Sequence, residues 1–255
     1  MISNIHVCLS EDKELNRDLA AVVCSATSEL INMFSKPPPA GVRPIHVFHR
    51  PEGPITDSTK DTSLYRIGLT VSNRHYAQLV FQLGHELCHI FADPRQTNWF
   101  VESCCEMASV VLLRRISRLW CYDPPFPNWV SYAPNFEEYA QDYIRQAGEY
   151  QFGSNWPPNE AQLYAWLTNA KSSFTGAPCN RQRNVIIAEK LLLPLFEEAA
   201  ENWDALCSLG EASTSSPVCL TDWNQNSDFE FDRWLQTVPS HLKVLVERIR
   251  KMFED

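Results

Sequence analysis

The sequence predicts an α+β fold: a small amino-terminal sheet with helices, a helix bearing His-Glu-x-x-His, and a mainly helical carboxy-terminal region. Three observations predict it. Short β-rich runs are confined to the first third, at 5–9, 45–49 and 64–71. Apolar residues at three- and four-residue steps dominate everything after about residue 74. Prolines and a Ser- and Asn-rich stretch then divide that helical region into separate runs.

Taken in order, "IHVCL" reads as a strand and "DKELNRDLAAVVCSATSELINMF" as an amphipathic helix. "SKPPPAGVRP" cannot be regular structure, because successive prolines hold the chain extended and lack amide donors. "IHVFH" at 45–49 and "LYRIGLTV" at 64–71 read as strands joined by a polar loop with Pro and Gly. From about Arg74 to Ala92, the residues Ala77, Val80, Phe81, Gly84, Leu87, Cys88 and Phe91 form the stripe of a helix lying on a core. Asp93-Pro94 should end it, since proline disfavours helical geometry in the residue before it. A second helix is expected from Trp99 or Phe100 through "CCEMASVVLLRRIS". Helical runs at about 136–149, 158–172, 182–208 and 230–254 follow, with Pro194 and Pro239 kinking or dividing the last two. The connection at 210–228 reads as irregular.

Composition narrows the function. With 255 residues, 44% of them hydrophobic, a sizeable core is expected. No stretch approaches the roughly 18–20 apolar residues of a membrane span, and the amino terminus has no secretory pattern. The expectation is a cytoplasmic protein with no membrane partner. Nine cysteines, none in a C-x-x-C pair, suit buried thiols in a reducing compartment. A net charge of −9 argues against nucleic acid as a partner, because affinity for phosphate comes from clustered Lys and Arg.

The chemistry is concentrated in "HELCHIFADPRQTNWFVESCCEMAS". Residues four apart on a helix lie on one face, so His85 and His89 can direct ring nitrogens to one point. Glu86 sits beside that point. Hydrolytic zinc chemistry needs this set: neutral imidazole ligands, an open position for water, and a carboxylate to take the water's proton. Glu102, in the first turn of the next helix, is placed to be the third ligand, since the intervening loop spans at most ~20 Å and packed helices lie 8–10 Å apart. Glu106, one turn further, could support a ligand histidine through its other ring nitrogen. The competing reading is a solvated helix face whose acids favour a helix start. Cys88, Cys104 and Cys105 lie on or beside apolar stripes and read as core. The scattered tryptophans read as packing.

His85-Glu86-Leu87-Cys88-His89, followed by a helix opening Trp99-Phe100-Val101-Glu102, resembles the gluzincin group of zinc metallopeptidases, the thermolysin-like and aminopeptidase-like enzymes. The resemblance covers about residues 64–112. It implies a zincin-like region at 1–118 carrying the metal site, and a helical subdomain at 119–255 completing the cleft. It also implies zinc held by His85, His89 and Glu102, catalysis by Glu86, and a strand around "IGLTV" that pairs with extended substrate. Two features depart from the family. The connection between His89 and Glu102 is short for its large members, and no motif marks the oxyanion stabiliser among Tyr132, Tyr139, Tyr143, Tyr150, Tyr164 and His241.

The function expected from these residues is a zinc-dependent peptidase acting on a protein or peptide, by analogy a regulatory or defence-type protease. Two alternatives stand beside it: a catalytically silent interaction protein with a structural zinc, and a zinc hydrolase of a non-peptide amide or ester. The sequence leaves the oligomeric state open.

Overall fold

The computed structural model describes residues 4–57, 63–93, 97–174, 176–213 and 228–254. β1 (Ile5–Cys8) turns into α1 (Lys13–Ile31). Asp12 caps that helix, its carboxylate accepting from Glu14 N at 2.9 Å and Leu15 N at 3.0 Å. Asn16 ties helix to strand, accepting from Leu9 N at 2.8 Å and donating to Val7 O at 3.1 Å. Three further strands complete the sheet: β2 (Ile45–His49), β3 (Ile55–Asp57) and β4 (Tyr65–Leu69), in the order β1-β2-β4-β3. The first three in that order are parallel, and β3 runs antiparallel to β4 at the edge.

Two expectations change here. The polar loop expected between the second and third strands contains β3, too short at three residues to show an alternating pattern. The strand expected to pair with substrate, around Ile67, is interior. β2 hydrogen-bonds to one side of β4 and β3 to the other, with Thr56 opposite Ile67. Tyr65, Ile67 and Leu69, on one face of β4, are wholly buried, while Arg66 on the other face is half-buried and lies over the Phe48 ring.

The two helices that carry the motif follow as expected: α2 (Tyr76–Phe91) and α3 (Trp99–Trp120). Pro94, expected to separate them, lies outside the described residues. Asn98 starts α3, its buried side chain accepting from Phe100 N and Val101 N, each at 3.0 Å. The helices meet closely at Gly84. A Cβ there would lie 3.1 Å from both Ser109 Cα and Leu112 Cδ2, so the bare glycine lets the backbones approach one residue before His85.

The rest is helical but irregular: α4 (Ala133–Phe152), α5 (Glu160–Ala170), α6 (Arg181–Ile187), α7 (Leu193–Phe196), α8 (Phe231–Thr237) and α9 (Lys243–Glu254). The run expected at 182–208, kinked or divided at Pro194, is broken into several pieces. A π-helical turn at Ala188–Leu192 precedes Pro194, and Ala200–Ala212 winds as a 3-10 helix. Proline has no amide to donate and its ring crowds the preceding turn, and the widened turn accommodates both. Pro239 separates α8 from α9 as expected, while 214–227 of the Ser- and Asn-rich connection lie outside the described residues.

One hydrophobic cluster runs from Leu9 on the sheet side to Phe253 in α9. Phe100 ties α3 to its carboxy-terminal end, stacking on Phe229 at 4.5 Å and meeting Trp234 edge-on at 5.3 Å. Trp120 and Trp234 are among the largest wholly buried side chains. The eight described cysteines are all free thiols. Among the described residues no helix is long and apolar enough to cross a membrane.

Candidate metal centre

The α2 face toward α3 holds His85 and His89 one turn apart, their ring centroids 5.1 Å from each other. Both imidazoles meet the same carboxylate. His85 Nε2 lies 3.3 Å from Glu102 Oε2, and His89 Nε2 lies 3.4 Å from Glu102 Oε1. Thr97, just before α3, donates its hydroxyl to Glu102 Oε1 at 2.5 Å. The three side chains keep a small opening to solvent, with 11%, 12% and 12% of their surfaces exposed. Glu106, by contrast, keeps 1%.

The electrostatics follow from placing these groups together out of water. Burial opposes a charge on His85, but hydrogen bonding and the negative charge of Glu102, with Glu106 and Glu86 behind, outweigh it and lift its pKa to about 9. Burial likewise opposes ionisation of Glu102, yet His85 and His89 hold its carboxyl down at about 2. Burial also moves His89 down, toward its neutral form. His85 is shifted toward its charged form and Glu102 toward its ionised form, each by the other's charge. A different Glu102 oxygen meets each imidazole, while the side chains whose donor atoms all lie within 4.8 Å of one another, close enough to hold a metal ion, are His85, His89 and Cys105.

Glu86 stands beside this group and is itself buried. Thr56 of β3 holds it: the Thr56 hydroxyl lies 2.8 Å from Glu86 Oε2 and 2.7 Å from the Glu86 carbonyl oxygen. Glu106 lies on the Nδ1 side of His85, as expected, but at 3.8 Å, longer than a hydrogen bond. Its carboxyl is pushed up by burial. Tyr143 of α4 is hydrogen-bonded to it, its hydroxyl 3.3 Å and 3.5 Å from the two oxygens.

Of the residues considered for oxyanion stabilisation, Tyr143 thus approaches through Glu106. The Tyr132 hydroxyl accepts from Ala77 N at 3.4 Å. Tyr139 packs on Phe81, while Tyr150, Tyr164 and His241 are exposed. His6 and His46 pair across β1 and β2, with ring centroids 5.1 Å apart, and His75 precedes α2 without capping it.

Two residues were missed from sequence. Thr56 gave no signal, because its strand is too short. Cys105 had one: it lies three residues beyond Glu102 and so shares its helix face. Its sulfur and one ring nitrogen from each of His85 and His89 all lie within 4.8 Å of one another. Cys88 and Cys104 remain packing residues, with the Cys88 thiol 3.7 Å from the Cys104 carbonyl. Compared with family models, curated proteins and solved structures, the chain finds no match in any of the three.

Proposed function

We propose that this chain is a zinc-dependent peptidase, with His85, His89 and Glu102 holding the metal and Glu86 as general base. The observation that carries the reading is the sharing of one α3 carboxylate by two imidazoles of α2, with a second carboxylate fixed beside them. When bound, zinc supplies a Lewis acid that polarises a carbonyl and makes water acidic near neutral pH. Glu86 takes a proton from the attacking water and passes it to the leaving amine. Thr56 engages Oε2 of that carboxylate, which leaves Oε1 to receive the proton. A peptide is favoured over other amides because β3 is one of the two edge strands of the described sheet, and its Thr56 touches the proposed base. An extended substrate could add to that edge through main-chain hydrogen bonds.

The test is metal analysis of the purified chain together with a cleavage screen against a cell lysate. Wild type should carry about one zinc and produce cleavage fragments. Glu86→Gln keeps the size of the side chain but cannot accept the proton, so it should retain the zinc and cleave about 10² to 10⁴ times more slowly. Cleavage by Glu86→Gln at the wild-type rate refutes the assignment.

A further inference from the structure

The proposed ligands leave a fourth position, and one side chain is placed to fill it. Cys105 is wholly buried, and its sulfur and one ring nitrogen from each of His85 and His89 lie within 4.8 Å of one another, a group that Glu102 joins only if its carboxylate shifts on metal binding. It approaches from α3 on the face that presents Glu102, because residues three apart are neighbours on a helix. The close approach of the helices at Gly84, where a Cβ would meet Ser109 Cα at 3.1 Å, brings that face against His85. Cysteine sulfur, imidazole nitrogen and carboxylate oxygen are all zinc donors. Three protein ligands leave zinc open to water, whereas four close it.

We infer that Cys105 is the fourth ligand of this centre, so that the resting protein is a latent form whose open position is filled by its own sulfur. The inference rests on the metal reading above. On metal binding the Cys105 S–H bond breaks, its electron pair forms the sulfur–metal bond, and the proton leaves to solvent. Release of the sulfur takes that proton back, with no oxidation or reduction.

Zinc-edge X-ray absorption of the zinc-loaded full chain reads the ligand shell directly. One sulfur at about 2.3 Å is expected beside nitrogen and oxygen at about 2.0–2.2 Å. With cobalt(II) in place of zinc, a sulfur-to-cobalt charge-transfer band should appear in wild type and in Cys104→Ala, and be lost in Cys105→Ser and Cys105→Ala. Latency further requires Cys105→Ala to cleave lysate proteins faster than wild type. A shell of nitrogen and oxygen alone overturns the inference and leaves the metal reading standing. So does a charge-transfer band that survives Cys105→Ser. Wild-type cleavage as fast as that of Cys105→Ala overturns latency. Failure of wild type to take up zinc or cobalt overturns both readings. Should both Cys105 variants fail to fold, the absorption measurement on wild type still decides.

Discussion

Two buried cations occupy different regions of this molecule and are satisfied in opposite ways. Arg183 in α6 is 2% exposed and is satisfied largely by main chain. It donates to the carbonyls of Ser173 at 2.9 Å, Ala177 at 2.7 Å and Pro178 at 3.3 Å, and to Asn184 Oδ1. Burial pulls its pKa down to about 10, and the nearby Cys179 thiol offsets that only in part. His85, between α2 and α3, is drawn toward its charged form by the carboxylates of Glu102, Glu106 and Glu86. A cation whose partners are carbonyls pins a loop. A cluster of ionisable side chains satisfying one another is weak evidence for stability and good evidence for chemistry.

The comparison can be broken from either side. The largest effect is expected at Arg183→Met, which strands several buried carbonyls at about 1–3 kcal/mol each. A loss of about 3 kcal/mol or more in urea unfolding should accompany an unchanged zinc content per folded chain. A wild-type midpoint would mean that the guanidinium is not a structural pin. The opposite change is expected at the other cation. In metal-free protein, the double variant His85→Leu/Glu102→Leu replaces a buried ionic pair with apolar groups and should be neutral or more stable by about 1–4 kcal/mol. It should also bind no zinc. If the metal-free double variant is strongly destabilised, the cluster is structural after all.

A finer division runs along α3 itself. Glu102→Ala should weaken zinc binding more than Glu106→Ala, whose effect should be about 10- to 100-fold if it acts only through His85. Chelator competition ranks the two variants, and the reverse order would move the third ligand one turn along the helix. The smallest effect is expected at Asn98→Ala, which removes the cap of α3. It should lower stability by about 1 to 2 kcal/mol, and it should lower zinc affinity too, because Glu102 sits in the turn that the cap holds. An unchanged affinity in isothermal titration would uncouple the cap from the site.

What the sequence by itself determined is local. Apolar periodicity places α2 and α3 to within about three residues, and four-residue spacing puts His85 and His89 on one face. Position alone sets Glu102 in the first turn of α3. These features follow from the geometry of one helix, which a short window contains. The tertiary structure decided the rest. It brought Thr56 from a three-residue strand onto Glu86, and Tyr143 of α4 onto Glu106. It turned Cys105 from an expected core residue into a neighbour of both imidazoles, and it put β3 outside β4 at one edge of the sheet. It also gave Arg183 its carbonyls. Each of these depends on contacts between elements, where packing and hydrogen-bond satisfaction choose the partner and no short run of sequence encodes it.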